Sequence, residues 1–293
     1  MAYDATGAKV RYAVQGAVAM LELVNPPVNG LGIELRQDLF DSLRRAMQDQ
    51  TIQGVVLCGA GRMFCGGADI RQFNTPKASA SPLLRDVNRL IESSGIPIIA
   101  ALHGHALGGG LELAMACHAR VAAAGTQLGL PEVKLGILPG GGGTQRLPRL
   151  VPVERALEMI VSGKAIDARE AHELGLVDEI TGQSGLIDGA IRWAMTIAAE
   201  GPAAVTAHVT SRLAPLVSAE ATGYFEAARR RVSAEYPGAA APQEIVSCVQ
   251  AALEMPFEDA LTFERSRFAI LVEGEESKAM RQAFFAQRQA GKR

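Results

Sequence analysis

A carboxylate and a run of three glycines stand together in the segment His103–Leu113. The glycines come directly before an apolar run that predicts a helix, and Glu112 falls in the first turn of that helix. The first amides of a helix lack intrahelical acceptors, and glycine lets a ligand approach them closely. The segment therefore indicates a polarising site with an acid beside it. The plainer alternative is that Glu112 only complements the helix dipole.

A second glycine-rich segment, Gly61–Ile70, follows a predicted strand. Gly66 and Gly67 can adopt backbone angles that are closed to other residues, which leaves amide groups bare and directed at a ligand. An ordinary tight turn would account for the same residues.

The third segment is Leu130–Arg149, in which Glu132 is a lone acid between apolar residues. A glycine-rich turn then leads into a predicted helix at Thr144. Glu132 could equally be an exposed loop carboxylate that pairs with Lys134 or Arg146. The segment His103–Leu113 has the glycine spacing of neither a dinucleotide-binding nor a Walker A motif.

These segments are positioned by alternating strands and helices, which predict an α/β domain. Apolar runs predict strands at Val18–Val24, Gly54–Cys58, Ile96–Leu102 and Ala119–Ala123. Helical periodicity predicts helices at Leu31–Asp49, Leu83–Ile91 and Leu111–Cys117.

Beyond Trp193 the sequence is rich in Ala, Glu and Arg and contains no further strand-like run. We therefore predict an all-helical C-terminal region, with a loop between helices at Tyr236–Pro242. The predicted domains are a core over residues 1–195 and a helical region over residues 196–293.

The composition is that of an ordinary globular protein, with 48% hydrophobic and 20% charged residues in a chain of 293. The net charge of −2 gives no electrostatic argument for nucleic acid or an anionic membrane as a partner. Neither an N-terminal signal peptide nor an apolar run near the ~20 residues of a membrane span is visible, so a cytoplasmic location is predicted by elimination.

The cysteines and histidines show no metal-binding pattern. The four cysteines lack paired spacing, and buried reduced thiols are expected. His103 and His105 form only an incomplete H-x-H, so we interpret both as structural and expect no metal.

The strings FCGGADI, HALGGGLELAMACHARVA and LPEVKLGILPGGGGTQRLPR, in this order, resemble the enoyl-CoA hydratase/isomerase (crotonase) family. The resemblance runs from about Val18 to Ile180 and includes the stretch Ser162–Asp178. It implies a crotonase-type spiral of strand–strand–helix repeats, followed here by the all-helical C-terminal region.

The resemblance also implies roles for individual residues. The N–H groups of Ala68 and Gly109 would form an oxyanion hole around the thioester oxygen of an acyl-CoA. Glu112 and Glu132 match the two catalytic glutamates of the family, with Glu132 expected to deliver a proton and Glu112 to activate water. The residues expected to contact the substrate and its CoA moiety are Ala68, Asp69, Ile70, Arg71 and Gly109.

Retention of both glutamates favours an enoyl-CoA hydratase, which requires no cofactor beyond the CoA of the substrate. A Δ3-Δ2-enoyl-CoA isomerase remains an alternative at the same site, and so does a non-catalytic acyl-CoA- or RNA-binding scaffold on the same fold. Family members are commonly homotrimers or hexamers, although the C-terminal helices could cover that surface within one chain.

The C-terminal third shows a narrower resemblance. Pro256–Phe268 and Ala283–Lys292 are similar to the linker that follows the hydratase/isomerase part of multifunctional fatty-acid β-oxidation enzymes. No G-x-G-x-x-G motif occurs in the 293 residues, so no dehydrogenase part is expected within them.

Overall fold

The structure is a computed structural model that describes residues 9–73, 75–210, 212–213 and 221–290. The strands are β1 Val10–Gln15, β2 Val18–Leu23, β3 Gly54–Gly59, β4 Ile98–Leu102, β5 His105–Leu107, β6 Ala119–Ala123, β7 Gln127–Gly129, β8 Ile166–Asp167 and β9 Glu179–Thr181. The helices are α1 Ile33–Gln48, α2 Pro76–Ser79, α3 Leu84–Glu92, α4 Gly109–Ala116, α5 Gly143–Arg146, α6 Val153–Ser162, α7 Ala168–Glu173, α8 Leu186–Ala199, α9 Pro202–Thr210, α10 Ala221–Glu235, α11 Ala240–Glu254, α12 Phe257–Glu273 and α13 Glu275–Ala290.

Six strands form the main sheet in the order β1-β2-β3-β4-β6-β9. β1 and β2 are antiparallel, and each later pair in the order is parallel. Every residue of β4 and β6 is buried, because parallel interior strands are covered on both faces. This burial explains why β4 is a continuous apolar run in the sequence and why Arg120 is the only polar residue of β6.

A smaller sheet contains β5, β7 and β8. The chain passes from β4 in the main sheet to β5 in the smaller one and then enters α4, and β6 is followed by β7 in the same way. These passages give the strand–strand–helix repeat that the resemblance implied. They also bring the chain from a buried strand end to the glycine run before α4.

The chain divides into two compact units. The first unit comprises Met1–Leu128 and Ile166–Arg212, and the second comprises Gly129–Ala165 and Leu213–Arg293. This division differs from a boundary at residue 195, because residues 129–165 group with the C-terminal helices rather than with the sheet. Contacts distant in sequence produce this grouping, and no local pattern reveals them.

The predicted strands and helices are found within a few residues of their expected bounds. β1 and the short strands β5, β7, β8 and β9 were not predicted, because β1 mixes apolar and polar residues and runs of two or three residues carry little periodicity. Within the described residues beyond 203, only helices occur as regular elements. The predicted loop at Tyr236–Pro242 is shorter in the structure, since Pro242 lies in the first turn of α11, where its missing N–H costs nothing.

Candidate active site

Two glycine-rich segments of the first unit lie against each other. Gly67 has a φ of +100°, and a Cβ built there would lie 2.8 Å from the Leu107 carbonyl oxygen. A Cβ on Gly110 would lie 2.6 Å from the Cys65 carbonyl oxygen. Real Cβ atoms do not approach backbone this closely, so glycine at both positions permits the contact.

The two predicted oxyanion-hole amides face this contact. A Cβ built on Gly109 would lie 3.4 Å from the Ala68 nitrogen, which places the two residues side by side. Gly109 is the first residue of α4, so its N–H has no intrahelical acceptor. In the described ranges, neither amide donates to a backbone carbonyl outside the helices and strands. Both donors are therefore available for a ligand oxygen.

Glu112 lies in the first turn of α4, as predicted, and its exposed fraction is 2%. Its N–H donates to the Gly108 carbonyl oxygen at 3.0 Å, which closes the first turn. Gly108 itself has a φ of +52°, a conformation that glycine adopts without strain. All eight residues of α4 are buried, so the carboxylate is carried on a helix that is fixed on every side.

The chain after Ala68 forms what we call the first loop, residues 69–82, of which 74 lies outside the described residues. Arg36 on α1 is buried and binds this loop through backbone carbonyls. Its guanidinium donates to the carbonyl oxygens of Pro82 at 2.8 Å, Ala80 at 3.1 Å and Lys77 at 3.2 Å. A further bond at 3.1 Å reaches the Leu31 carbonyl oxygen. Burial lowers the pKa of this guanidinium, and the four bonds offset part of that cost.

Leu31 links the Arg36 contacts to the two amides. It forms an isolated parallel bridge with Ala68, and its N–H donates to the Gly67 carbonyl oxygen at 2.9 Å. A Cβ built on Gly109 would lie 3.3 Å from the Leu31 side chain and 3.1 Å from that of Leu84. The side chains of Leu31 and Leu84 therefore lie beside the Gly109 amide and make this side of the site apolar.

Among the predicted CoA-binding residues, Asp69 and Arg71 pair with each other. Arg71 Nε lies 2.8 Å from Asp69 Oδ1, and Arg71 Nη2 donates to Asp69 Oδ2 at 2.9 Å. Arg71 is well exposed, so solvent screens this pair. The hydrogen bond from Arg71 is the main cause of the lowered pKa of Asp69. Ile70 begins the short 3₁₀ turn Ile70–Gln72.

Glu132 lies in the second unit, in the 3₁₀ turn Pro131–Leu135, and is half-buried. Gly136 ends this turn with a φ of +67°. We call residues 131–144 the second loop. Arg146, which the sequence offered as a partner for Glu132, donates to the Gly141 carbonyl oxygen at 3.0 Å. Its guanidinium also lies over the Phe257 ring, 5.3 Å from the centroid.

The second loop is bound to α12 by a buried acid. Glu264 has an exposed fraction of 1% and accepts hydrogen bonds from the N–H of Gly142 at 2.8 Å and the N–H of Thr144 at 3.0 Å. The Thr144 hydroxyl donates to the same carboxylate at 2.6 Å. These bonds join residues 120 or more positions apart in the sequence.

The structure thus brings Ala68, Gly109 and Glu112 into one unit and places Glu132 in the other. Sequence reasoning missed Arg36 and Glu264. A signal for Glu264 existed, because it follows Phe257 and Ala260 and precedes Phe268 and Leu271 at helical spacing. A charged residue on such a face must be paired if it is buried. The same signal marks Arg36, which precedes Leu39, Leu43 and Ala46 at helical spacing on the buried face of α1.

The cysteines are free and buried, as predicted. Burial raises the pKa of Cys58, Cys65 and Cys117 to about 12, so these thiols are poor nucleophiles. His103 Nε2 lies 3.0 Å from the Gly61 carbonyl oxygen. Over the part of the chain that is described, no group of three or more His, Cys, Asp or Glu residues could hold a metal ion. No helix in that part is long and apolar enough to cross a membrane.

An available amide at the start of a buried helix, a second amide beside it at Ala68, and an acid in the first turn of the helix are the features of an enzyme that stabilises negative charge on a carbonyl oxygen. The Enoyl-CoA hydratase/isomerase family profile matches residues 13–238. The chain therefore belongs to the enoyl-CoA hydratase/isomerase family. This finding confirms the resemblance that the three glycine-rich motifs carried.

The curated relatives are multifunctional enzymes. A peroxisomal bifunctional enzyme of Danio rerio is 40% identical over 95% of this chain and 38% of the relative. A glyoxysomal fatty acid β-oxidation multifunctional protein of Cucumis sativus is 38% identical over 100% of this chain and 41% of the relative. The chain thus spans about two fifths of the length of these relatives. Their names agree with the resemblance of the C-terminal third to a multifunctional enzyme.

Solved structures confirm the fold class. An enoyl-CoA hydratase from Bacillus anthracis is 28% identical, with a TM-score of 0.61 over 95% of this chain and 96% of that chain. The fold is accordingly the crotonase-type α/β spiral, with helices only in the described C-terminal region.

The prediction of a cytoplasmic location is wrong by these comparisons, because the relatives are named as peroxisomal or glyoxysomal enzymes. The cytoplasmic location was predicted only because neither an N-terminal signal peptide nor a membrane span is visible in the sequence. Peroxisomal addresses include short sequences such as Ser-Lys-Leu that are neither apolar nor N-terminal. The lack of a visible signal peptide and membrane span therefore does not distinguish a cytoplasmic protein from a peroxisomal one.

Proposed function

We propose that this chain is an enoyl-CoA hydratase, which adds water across the 2,3 double bond of a 2-enoyl-CoA in fatty-acid β-oxidation. The observation that carries the proposal is the pair of available amides at Ala68 and Gly109 beside the buried Glu112. Membership of the family and the multifunctional relatives support it.

Water addition to an enoyl thioester develops negative charge on the thioester oxygen. The N–H groups of Ala68 and Gly109 would donate to that oxygen, and the start of α4 would direct its positive end at the same charge. Loss of one such donor typically lowers the rate by ~10²–10³-fold. Both donors are backbone groups on fixed segments, so they require no rearrangement during the reaction.

The two glutamates would move the protons. Glu112 takes a proton from water as its oxygen bonds to C3, and Glu132 gives a proton to C2. Glu132 begins the step protonated and Glu112 ends it protonated, so one water is added across the double bond and the number of protons on the pair is unchanged. The assignment of these two tasks follows the family pattern and is part of the proposal.

The first loop would lie along the CoA moiety, with Asp69, Ile70 and Arg71 as the contacting residues. Because Arg71 is exposed and paired with Asp69, it can exchange part of that pairing for a CoA phosphate at small cost. Water is the second reactant, so the proposed reaction needs no cofactor. Assembly into a trimer or hexamer also remains a prediction, to be measured by sedimentation.

The decisive experiment replaces each glutamate by glutamine, which keeps the size of the side chain and removes its proton chemistry. Glu112→Gln and Glu132→Gln should each lower the kcat for crotonyl-CoA hydration by roughly 10²–10⁴-fold, with smaller changes in KM. Hydration is followed as loss of the absorbance of the conjugated thioester. The double variant should be scarcely slower than the slower single variant, since the two groups act as a unit.

Glu154→Gln is the matched control, because Glu154 is an exposed glutamate in the first turn of α6. This substitution removes a favourable charge at the start of α6 but no group of the proposed site. The kcat of Glu154→Gln for crotonyl-CoA hydration should therefore stay within about twofold of that of the unaltered protein. Normal hydration rates in folded Glu112→Gln and Glu132→Gln proteins would refute the mechanism. Acyl-CoA binding without turnover in the unaltered protein would favour a scaffold.

Isomerisation of a 3-enoyl-CoA is the second candidate, because the same amides and one proton-shuttling carboxylate suffice for it. It would appear as a gain of the conjugated-thioester absorbance. If Glu112→Gln abolishes hydration and keeps isomerisation, Glu132 carries the shuttled proton and Glu112 serves only the water.

A further inference from the structure

The second loop is held by residues of the C-terminal helices, and one of its anchors is the buried Glu264 carboxylate. We infer that Glu264 is a positioning residue for Glu132. It fixes the second loop so that the Glu132 carboxylate is presented in one geometry. The inference rests on the proposed function, since it assigns to Glu264 the task of orienting an acid that the proposed reaction uses.

The chemistry of the contact supports a fixed loop. Glu264 is a fully buried carboxylate, which is costly unless it is well supplied with donors. Two backbone amides and the Thr144 hydroxyl supply them, at 2.6–3.0 Å. Hydrogen bonds to an ionised group are stronger than neutral ones, and here they act on the backbone of the loop itself. The loop cannot shift at residues 142–144 without leaving a buried charge unsatisfied.

A second contact lies between Glu132 and that anchor. A Cβ built on Gly140 would lie 2.6 Å from the Phe268 ring, so the ring of α12 packs directly on the loop backbone. Phe268 follows Glu264 by one helical turn, and both residues therefore reach the loop from the same face of α12.

A third contact lies closer to Glu132. The turn Pro131–Leu135 ends at Gly136, and a Cβ built there would lie 3.1 Å from the Ser277 Cα and from the Met280 sulfur on α13. The second loop is thus bounded by α13 at its start and by α12 at its end. A helix pair that the sequence marks only as a linker supports the loop along its length.

The test is the substitution Glu264→Gln in the full chain of 293 residues, with crotonyl-CoA hydration as the assay. Glutamine keeps the side-chain size, but its amide group cannot accept from the three donors in the same way. We expect kcat to fall by roughly 10-fold to 10²-fold with KM little changed, because small misplacement of a reacting group can cost about 10²-fold. In a Glu132→Gln background, the further loss from Glu264→Gln should vanish, because the group being positioned is gone.

Thr144 provides a second test that does not remove the buried charge. Thr144→Ser keeps the hydroxyl that Glu264 accepts from, and Thr144→Val removes it. Serine should retain the rate within about threefold, and valine should lower kcat by roughly 10-fold. Amide hydrogen exchange at Gly142 and Thr144 should speed up in Glu264→Gln and in Thr144→Val, which reports the loop without reference to activity.

Glu244→Gln is the matched control for helix stability. Glu244 on α11 lies 3.6 Å from Arg267 of α12, so its loss weakens the same helices. Its rate should stay within about twofold of the unaltered protein. An equal loss of kcat in this control would overturn the inference, because the loss would then reflect weaker helices and not the loop.

The failure of the inference and the failure of the proposed function are distinct results. If Glu132→Gln loses hydration while Glu264→Gln and Thr144→Val keep full kcat, Glu264 does not position Glu132 and the proposed function stands. If Glu132→Gln itself keeps full kcat, the proposed function is wrong whatever Glu264 does. If Glu264→Gln slows the reaction equally with and without Glu132, its effect reaches the site by another route and the inference is wrong.

Discussion

The first loop is bound to α1 through its backbone carbonyls, whereas the second loop is bound to α12 through its backbone amides. Arg36 donates to the carbonyl oxygens of residues 77, 80 and 82, and Glu264 accepts from the N–H groups of residues 142 and 144. Each anchor is a buried charge that binds backbone groups of its loop, and Glu264 also accepts from the Thr144 hydroxyl. The two anchors have charges of opposite sign. The Arg36 guanidinium donates to carbonyl oxygens of the first loop, and the Glu264 carboxylate accepts from N–H groups of the second loop.

The two anchors also differ in the sequence separation between the anchor and the loop residues that it binds. Arg36 reaches residues at most 46 positions away, and Glu264 reaches residues at least 120 positions away. Longer closure costs more chain entropy, although the cost rises only slowly with length. The comparison teaches that the proposed oxyanion hole is supported within the N-terminal part, while the loop that carries Glu132 requires the C-terminal helices.

Removal of the first anchor should have the largest effect on stability. Arg36→Met keeps the apolar stem and leaves the buried carbonyl oxygens of Leu31 and Pro82 without donors, each at a cost of ~1–3 kcal/mol. We expect the free energy of unfolding to fall on the order of 4 kcal/mol in urea denaturation. KM for crotonyl-CoA should rise, because the first loop borders the proposed CoA site.

Arg44→Met controls for the loss of an arginine from the same helix, since Arg44 is exposed on α1. Its free energy of unfolding should change by less than about 0.5 kcal/mol. Equal destabilisation by the two variants would mean that Arg36 acts only through charge, and the comparison of backbone anchors would then fail.

Acid should weaken the first unit through His118. Burial lowers the pKa of His118 to about 4, and Nδ1 accepts from the Ile98 N–H at 3.0 Å. The unfolded chain binds a proton below about pH 6.5, where the folded chain does not. This contribution to stability is therefore fully present above about pH 6.5 and is lost as the pH falls towards 4. The loss is on the order of 3 kcal/mol.

His118→Asn should remove this pH dependence, because the asparagine oxygen can accept from Ile98 and does not titrate. Urea denaturation between pH 7 and pH 4 measures the difference between the two proteins. The second unit contains no histidine, so its amides should show no matching change in hydrogen exchange. An identical pH profile in His118→Asn would show that other groups govern acid stability.

The smallest expected effect concerns the packing of the second loop. Gly140→Ala would place a Cβ 2.6 Å from the Phe268 ring, and overpacking of this kind typically costs ~1–3 kcal/mol. We expect the free energy of unfolding to fall by about 2 kcal/mol in urea denaturation.

Gly182→Ala is the control, since Gly182 has a φ of −67° and nothing within 4 Å of a built Cβ. That variant should be neutral or slightly stabilised. Gly140→Ala with unchanged stability would mean that Phe268 moves freely and does not hold the loop.

The sequence by itself determined four strands of the main sheet, the longer helices that position the site and the identities of the proposed site residues. β3 and β4 were predictable because interior parallel strands are apolar, and β6 because Arg120 is its only polar residue. α1 and α3 were predictable because their buried residues recur at helical spacing. Glu112 was placed in the first turn of α4 because glycines mark the start of that helix. These are local patterns, so they do not depend on how the rest of the chain folds.

Only the tertiary structure decided which residues hold the site loops. The burial of Arg36 and Glu264 depends on partners that no sequence spacing specifies, since most of their hydrogen bonds go to backbone groups that every residue possesses. The grouping of residues 129–165 with the C-terminal helices arises in the same way, from contacts more than a hundred positions apart. A backbone acceptor or donor leaves no mark in the sequence, and its partner becomes visible only when the chain is folded.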